Sequence, residues 1–510
     1  MCIALQGKTV PELLERAEAA LAESRFLEFR LDALDKLEKL DKPATALQPI
    51  AKFLSQARAR LGEIAAIATC RRLAHGGGFR GSLGEELAIL TQAAKAGFSM
   101  VDLEIESAEE ASEMEWHKLR EAGASVLVSF HDFQETGHLD EVFARIQRFS
   151  PDFAKVVTTA ESLTDSLTML RWLEARSDEA RLVGIAMGEQ GLVSRILSLR
   201  AGSVFTFAAA PDGEETAPGQ VTAHSMREVY RVEELDKATR IYGVAGNPVA
   251  HSLSPLMQNA AFRRERYNAV YLPLKVETLD DLLRLITELP LSGLSVTMPL
   301  KQQILPYLAN LDPLSARLGA CNTLRLGADK RLYGFNTDVA GVVRPLERRM
   351  PLKGARVLVL GAGGAARAAV YGLADKGAQV YLWSRNEALA AELAAAAGAR
   401  SIARAEIADV RFDALVNATP CGMVGNPEPL PLQAEEWNAE IVFDLVYNPL
   451  ETPLLRAARA RGAVVIQGVE MFVQQGARQF ELWTGKPAPE AEMLRTVLFA
   501  LQKAQSTHPK

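Results

Sequence analysis

Lys155 lies in an otherwise apolar run, Phe153-Ala-Lys-Val-Val157, downstream of the pair His131-Asp132. A cationic amine is costly to bury, so this lysine is either ion-paired or kept partly neutral as a nucleophile. A neutral lysine can form a Schiff base with a ketone, and a nearby imidazole can then remove an adjacent proton. Guanidinium groups such as Arg30 and Arg71 would lower the pKa of the amine by like-charge repulsion. The residues alone also leave open an ion-paired Lys155 and a capping or core His131.

Eight short apolar runs precede residue 230, and they would position these groups. They span residues 2–5, 26–31, 64–69, 100–105, 124–130, 152–157, 181–186 and 203–208. All but the last precede a stretch of helical period, which predicts a (β/α)8 barrel with its chemistry at the C-terminal strand ends. Candidate polar residues fall there: Glu28 and Arg30 late in the second run, Arg71 past the third, His131 past the fifth and Lys155 within the sixth. Arg195 suits a carboxylate, because its planar fork can bind one bidentately.

A second candidate site begins at Val357-Leu-Val-Leu-Gly-Ala-Gly-Gly-Ala-Ala366, a pattern of strand, glycine turn and helix. Gly361 permits the turn, Gly363 lets the backbone approach a pyrophosphate, and Ala366 takes the third small position. The next apolar run ends in Ser384-Arg385-Asn386 without an acidic residue. Because Arg385 can hold a 2′-phosphate, the sequence predicts NADP as the cofactor.

The predicted architecture is therefore α/β throughout, with more than one folding unit, since 510 residues exceed a single core of roughly 250–300. We expect a barrel over 1–230, a charged linker over 231–240, a substrate-binding domain over 241–345 and a Rossmann domain over 346–470. The helices of 471–508 are expected to pack back on the substrate-binding domain.

Composition limits the partners. A net charge of −6, with 48% hydrophobic and 24% charged residues, gives no reason to expect nucleic acid or an anionic membrane surface. No apolar run approaches the roughly 20 residues of a membrane span. The four cysteines form no CxxC pair, so neither a zinc site nor a disulfide framework is expected. The N-terminus lacks the pattern of a signal peptide, which predicts the cytoplasm. Oligomeric state is not predicted.

The first half resembles the type I 3-dehydroquinate dehydratases. The resemblance rests on residues 26–32 (FLEFRLD), 129–133 (SFHDF), 154–157 (AKVV), 191–195 (GLVSR) and 217–220 (APGQ), which occur in the family's order. It implies that Lys155 forms the Schiff base and that His131 shuttles protons. The implied substrate-binding residues are Glu28, Arg30, Arg71, Arg195, Thr216 and Gln220.

His75, followed by three glycines, is a departure from the family, which commonly has a glutamate at this place. If that glutamate orients the imidazole, a histidine would change the pH profile or lower the rate. The same segment mimics the oxyanion loop of some lipases, but that interpretation needs a G-x-S-x-G elbow, and the sequence has none.

The second half resembles shikimate dehydrogenase. The resemblance rests on residues 247–255 (NPVAHSLSP), 295–301 (SVTMPLK), 321–324 (CNTL), 336–338 (NTD), 417–423 (NATPCGM) and 468–475 (GVEMFVQQ). It implies that Lys301 and Asp338 form the catalytic pair. The implied substrate-binding residues are Ser252, Ser254, Thr297, Asn322, Tyr447 and Gln475. Those expected at the cofactor are Gly361, Ala362, Gly363, Gly364, Ala365, Ser384, Arg385, Asn417, Thr419 and Gly468.

Taken together, the two resemblances imply consecutive reactions: 3-dehydroquinate to 3-dehydroshikimate, then its NADPH-dependent reduction to shikimate. Leu389 stands where the second family often has another basic residue, so the preference for NADP would be weaker than usual. Two alternatives are a quinate/shikimate dehydrogenase with relaxed cofactor use and a quinate-pathway sensor built from decayed enzyme domains. Retention of Lys155, His131, Lys301 and Asp338 argues against the sensor.

Overall fold

The computed structural model describes residues 1–35, 44–210, 220–250 and 252–507. It divides the chain into two units, one of residues 1–239 with 283–289 and one of residues 240–282 with 290–510.

Eight parallel strands form the sheet of the first unit. They are β1 Cys2–Leu5, β2 Phe26–Arg30, β3 Ala65–Thr69, β4 Met100–Glu104, β5 Ser125–His131, β6 Phe153–Thr159, β7 Leu182–Met187 and β8 Phe207–Ala208. Their order, β7-β6-β5-β4-β3-β2-β1-β8, confirms the predicted succession of barrel strands. Within the described residues β7 and β8 share no ladder, but the Val204 N–H donates to the Leu182 carbonyl at 2.8 Å. The eighth strand is shorter than the run predicted at 203–208.

Helices follow the strands of this unit and cover the sheet with apolar faces. They are α1 Val10–Ala20, α2 Ala44–Leu61, α3 Leu83–Lys95, α4 Ile105–Glu110, α5 Glu113–Arg120, α6 Leu139–Gln147, α7 Leu163–Arg176 and α8 Leu192–Leu197. Ser82 and Ser112 begin α3 and α5 through capping boxes with Glu85 and Glu115, which satisfy backbone N–H groups at each start. The helices do not cover the C-terminal ends of the strands, and the polar residues lie at these ends.

The second unit begins with a mixed sheet. Its strands are β9 Arg240–Gly246, β10 Ala269–Lys275, β11 Leu291–Val296, β12 Asn310–Leu311, β13 Thr323–Leu326 and β14 Leu332–Phe335, in the order β10-β9-β11-β13-β14-β12. The helices of this stretch of the chain are α9 Ser254–Arg264, α10 Leu279–Glu288, α11 Pro313–Leu318 and α12 Asp338–Glu347; residues 283–288 of α10 belong to the first unit. Within the predicted linker, 231–240, Val232 and Leu235 are buried, and Arg240 is the first residue of β9.

A six-stranded parallel sheet completes the second unit. Its strands are β15 Arg356–Leu360, β16 Gln379–Trp383, β17 Arg400–Ser401, β18 Arg411–Asn417, β19 Asn438–Asp444 and β20 Val464–Ile466, with helices α13 Gly364–Asp375, α14 Glu387–Ala397 and α15 Pro453–Ala460. The order β17-β16-β15-β18-β19-β20 is that of a dinucleotide-binding fold, with its switch point between β15 and β18. The glycine turn after β15 therefore lies where such folds bind ligands.

Two C-terminal helices, α16 Gly468–Thr484 and α17 Glu490–Thr507, return to the first sheet of this unit. Phe480 and Trp483 of α16 and Val497 of α17 share one apolar cluster with Phe262 of α9. The Trp483 indole N–H donates to the Leu324 carbonyl at 2.9 Å, which fixes α16 against β13. Among the described helices of both units, none is long and apolar enough to cross a membrane.

Candidate active sites

The C-terminal ends of the barrel strands enclose a cavity of about 290 Å³. All the first-half candidates that the structure describes line it: Glu28, Arg30, Arg71, His131, Lys155, Arg195 and Gln220. Thr216 lies outside the described residues. His131 is the last residue of β5, where we had expected it just past the strand. Four basic side chains surround one small cavity, which suits an anionic ligand.

Lys155 is ion-paired rather than isolated. Its ammonium donates to Asp102 of β4, and both side chains are buried. It also lies 5.1 Å from the centre of the Phe207 ring. Lys155 and Arg71 together outweigh the effect of burial and lower the pKa of the Asp102 carboxyl. An ionised Asp102 gives the buried ammonium its counter-charge.

His131 has a carboxylate partner that the sequence interpretation missed. Its Nδ1 lies 3.0 Å from Oε1 of Glu104, and the other Glu104 oxygen forms an ion pair with Arg71, 2.8 Å from its Nε. Burial, with the cations of Arg71 and Lys155, lowers the pKa of the imidazole well below its ordinary value. The ring is thus neutral near pH 7, and the carboxylate favours the proton on Nδ1, which leaves Nε2 as the base.

The effect of a histidine at position 75 on rate and pH profile stays a prediction. The carboxylate that orients the imidazole comes from β4, at Glu104, and His75 instead contacts the Arg72 guanidinium at 2.9 Å. A usable signal was present in the sequence. Asp102 and Glu104 are two apart in an apolar strand, so both side chains lie on one face of the sheet.

The remaining barrel residues are held by bonds of their own. Arg30 forms a bidentate pair with Asp32 at 2.9 and 2.7 Å, and Glu28 accepts from the Thr69 hydroxyl at 2.6 Å. Arg195 donates to the Phe207 carbonyl at 3.1 Å. These bonds reduce the rotamer freedom of long side chains, so little entropy is lost when a ligand is bound.

A second cavity, of about 380 Å³, lies within the second unit. It is lined by every substrate-binding or catalytic candidate of this half: Ser252, Ser254, Thr297, Lys301, Asn322, Asp338, Tyr447 and Gln475. Nζ of Lys301 lies 2.7 Å from Oδ2 of Asp338, and the Asn322 amide donates to Oδ1 of the same carboxylate at 2.8 Å. The cavity therefore combines a partly exposed ammonium with hydroxyl and amide groups that suit a polyhydroxylated ring.

Two residues of this cavity also begin helices. Ser254 starts α9 and Asp338 starts α12, each at the first helical position rather than at the N-cap. The N-cap residues are Leu253 and Thr337. Both residues line the cavity.

A third cavity, of about 450 Å³, opens beside the glycine turn. Of the cofactor candidates, Gly361, Ala362, Gly363, Ser384, Arg385 and Thr419 line it, and Gly364 and Ala365 begin α13 next to it. Gly361 has φ +106°, which a residue with a Cβ rarely adopts. A Cβ added at Gly363 or Gly364 would meet no atom within 4 Å, so bare backbone faces open space at the start of a helix.

The two remaining cofactor candidates, Asn417 and Gly468, contact other residues of the second unit. Asn417 is fully buried; its Oδ1 accepts from the Thr419 backbone N–H and hydroxyl, and its amide donates to Asp444 at 2.8 Å. Gly468 starts α16, and a Cβ there would lie 2.4 Å from the Val446 carbonyl. Neither is among the residues that line the cavity. Asn417 positions Thr419, and Gly468 allows a close backbone approach.

The basic groups of the third cavity are paired with acids that sequence spacing did not indicate. Arg385 contacts Glu428 at 2.5 Å, and Arg404, packed over the Trp383 ring, forms a bidentate pair with Glu436 at 2.6 and 2.9 Å. Arg404 gives the cavity a second guanidinium although position 389 is a leucine. Both arginines are half-exposed or more, so an entering phosphate can exchange with these acids.

Family models match three stretches of the chain. The model for type I 3-dehydroquinase matches residues 1–237, the model for the shikimate dehydrogenase substrate binding domain matches 244–324, and the model for the shikimate 5′-dehydrogenase C-terminal domain matches 468–498.

Individual proteins match as well. The chloroplastic bifunctional 3-dehydroquinate dehydratase/shikimate dehydrogenase of Arabidopsis thaliana is 32% identical, over 96% of this chain and 83% of that protein. The shikimate dehydrogenase (NADP(+)) of Anaeromyxobacter dehalogenans is 43% identical, over 51% of this chain and 96% of that one. The solved shikimate 5-dehydrogenase of Thermus thermophilus, in complex with NADP(H) and shikimate, has a TM-score of 0.48 and 37% identity, over 52% of this chain and 100% of that chain.

Proposed function

Because the chain belongs to the family of bifunctional 3-dehydroquinate dehydratase/shikimate dehydrogenases, we propose that it catalyses two consecutive reactions on one carbon ring. The first unit dehydrates 3-dehydroquinate to 3-dehydroshikimate. The second unit reduces that ketone to shikimate with NADPH. The observation that carries the proposal is that each unit holds a nucleophile or proton donor next to its partner, in a cavity lined by binding groups.

In the first unit, the Lys155 amine adds to the ring ketone, and loss of water leaves an iminium. His131 removes a proton from the adjacent carbon, and the electron pair moves to the iminium nitrogen to give an enamine. The enamine expels the hydroxyl group, which takes the proton from His131 and leaves as water. Hydrolysis of the resulting iminium releases 3-dehydroshikimate and restores the amine.

Substrate binding in this unit is assigned to the polar groups that surround Lys155. The carboxylate suits Arg195 or Arg71, because a guanidinium offers two parallel N–H donors. The ring hydroxyls suit Glu28, Arg30 and Gln220. Thr216, which lies outside the described residues, belongs to this set by the family resemblance alone.

In the second unit, Lys301 gives a proton to the ring oxygen as the ketone becomes an alcohol. Asp338 holds the ammonium in place at 2.7 Å, and Asn322 holds Asp338. Ser252, Ser254, Thr297, Tyr447 and Gln475 bind the carboxylate and hydroxyl groups of the ring. These roles follow from the lining of the cavity and from the family resemblance.

The residues of the third cavity fit NADP. Backbone without Cβ atoms at Gly363 and Gly364 faces open space at the start of α13, which suits a pyrophosphate. Arg385 and Arg404 supply the charge for a 2′-phosphate, and the acids typical of NAD sites are replaced by Ser384 and Arg385 at the end of β16. NADPH, when bound, would supply the hydride for the two-electron reduction. The other residues assigned to its binding are Gly361, Ala362, Ala365, Asn417, Thr419 and Gly468.

Consumption of NADPH tests the whole proposal. Purified protein given 3-dehydroquinate alone should consume NADPH, and so should protein given 3-dehydroshikimate. Lys155→Met should abolish the first reaction and spare the second, while Lys301→Met should abolish both signals but leave dehydration intact. Oxidation of quinate with reduction of NAD⁺ to NADH, without NADPH consumption by 3-dehydroshikimate, would instead support the quinate/shikimate dehydrogenase alternative. Ligand binding without turnover would support the sensor.

The cytoplasm is the compartment that we propose for the protein, from its composition. The plant relative carries a chloroplastic name, so cell fractionation with an antibody to this chain is the appropriate test.

A further inference from the structure

Asp32, just past β2, holds two parts of the first cavity through a single carboxylate. Its Oδ1 accepts from Arg30 Nε at 2.9 Å, and its Oδ2 accepts from Arg30 Nη2 at 2.7 Å. The same Oδ2 also accepts from the Gly78 backbone N–H at 3.0 Å. Arg30 lines the cavity, whereas Asp32 is buried and is not among the lining residues. Asp32 can therefore act on a ligand only through Arg30 or through the segment that contains Gly78.

That segment, residues 76–78, forms part of the wall of the same cavity. Gly76 and Phe133 both line the cavity, and a Cβ added at Gly76 would lie 2.4 Å from the Phe133 ring. A Cβ added at Gly78 would lie 2.4 Å from the Asp32 carbonyl. The backbone therefore packs directly against Asp32 at one end and against an aromatic side chain of the cavity at the other.

The Asp32 carboxylate is ionised and determines which donors of Arg30 remain for a ligand. Burial alone would raise the pKa of Asp32, but the Arg30 guanidinium and the Gly78 N–H hold it below its ordinary value. A guanidinium has five N–H donors, and the pair with Asp32 uses the Nε–H and one N–H of Nη2. The donors that remain, on Nη1 and Nη2, lie along the terminal edge of the guanidinium. Two parallel N–H groups on one edge suit two neighbouring ring hydroxyls.

We propose that Asp32 is a positioning residue that directs the terminal edge of the Arg30 guanidinium at the hydroxyl groups of the substrate and holds Gly78 against the same carboxylate. The inference rests on the proposed dehydratase function. Hydroxyls that remain in the product are bound alike before and during the chemical step. Asp32 therefore controls the affinity for 3-dehydroquinate, and the rate of the chemical step does not depend on it.

Replacement of Asp32 by asparagine breaks the pair with little change of shape. An amide has one acceptor oxygen and one NH₂ group, so in either orientation the NH₂ group faces an N–H of Arg30. The guanidinium must then be ordered by the substrate itself. The KM for 3-dehydroquinate should rise by about three- to tenfold, the factor for ordering one long side chain on binding. The kcat, followed by the absorbance of the conjugated enone product, should change by less than about twofold.

Two further variants separate this role from a general effect of losing an ion pair. Glu109→Gln is the matched control, because Glu109 forms the same bidentate pair with Arg145, at 2.9 and 2.7 Å, away from the cavity. It should leave KM unchanged. Arg30→Lys keeps the charge but lacks the planar fork, so it should raise KM by itself. Because Asp32 acts through that fork, adding Asp32→Asn to Arg30→Lys should raise KM no further.

The folded state of the first unit is checked in the same variants. Borohydride treatment at saturating 3-dehydroquinate should trap equal amounts of the adduct on Lys155 in Asp32→Asn and in the unaltered protein, as measured by mass spectrometry. Loss of that adduct in Asp32→Asn, an unchanged KM, an equal rise in Glu109→Gln, or full additivity with Arg30→Lys would each overturn the role of Asp32. Absence of product and adduct in the unaltered protein would overturn the proposed function instead.

Discussion

Replacement of Glu104 by glutamine tests how the first site keeps its base in the working form. One Glu104 oxygen lies 3.0 Å from His131 Nδ1, while the other is 2.8 Å from both Arg71 Nε and the Ser129 hydroxyl. A glutamine at this position has one acceptor oxygen and one NH₂ group. Because Arg71 is always a charged donor, it keeps the oxygen, and the NH₂ group turns toward the imidazole.

The consequence for His131 is a change of tautomer. Its Nδ1 must now accept a hydrogen bond, so the ring proton moves to Nε2, the atom that has to act as the base. The working tautomer returns only if the amide turns over and gives up its charge-assisted bond with Arg71, at a cost of about 1.5–3 kcal/mol. We therefore expect kcat/KM for 3-dehydroquinate to fall by about 10- to 150-fold.

The assay follows the absorbance of the conjugated enone product at saturating and subsaturating 3-dehydroquinate. Glu86→Gln is the matched control, because Glu86 is also a buried glutamate that is ion-paired with an arginine, 3.1 Å from Arg72 Nε. Burial raises the pKa of Glu86 to about 7, so the neutral amide is close to its normal state. If Glu104→Gln lowers kcat/KM by less than about threefold, which is under 1 kcal/mol, the reasoning is refuted. An equal fall of kcat/KM in Glu86→Gln would refute it as well.

Three further predictions concern pH, proton transfer and the cofactor. Burial, together with the charges of Arg71 and Lys155, lowers the pKa of His131 below 6.5. The dehydratase kcat/KM, measured as a pH–rate profile, should therefore persist as pH falls through 6.5 and decline only at lower pH. A profile in which half of kcat/KM is lost at or above pH 6.5 would contradict this prediction. Lys301→Met should lower the reductase kcat by about 10²- to 10⁴-fold. Its affinity for shikimate, measured by calorimetry, should stay nearly unchanged. A loss of affinity as large as the loss of kcat would mean that Lys301 acts in binding. Glu428→Gln frees Arg385 from its exposed ion pair and should tighten binding of 2′,5′-ADP by about two- to fivefold. Binding of NADH in the same titration should not change, and equal tightening of both would place the effect outside the 2′-phosphate.

The sequence was sufficient to predict most of the strands and most of the residues that line each cavity. Strand runs and the glycine turn are local patterns, because side-chain alternation and positive φ are properties of short segments. Once the strands are parallel, their C-terminal ends share one edge, which explains why Lys155 and His131, from different strands, line the same cavity. The same logic brought Lys301 and Asp338 together in the second unit.

Tertiary structure alone decided which group each of these residues bonds to. Asp102, Glu104 and Ser129 belong to neighbouring strands, and only their register pairs one carboxylate with Lys155 and the other with His131. Glu428 reaches Arg385 from a loop after β18, and Arg404 supplies a cation that position 389 lacks. A buried or clustered charge is stabilised by the opposite charge that folding brings close to it. The distance between two such charges in the folded protein does not follow from the positions of the two residues along the chain.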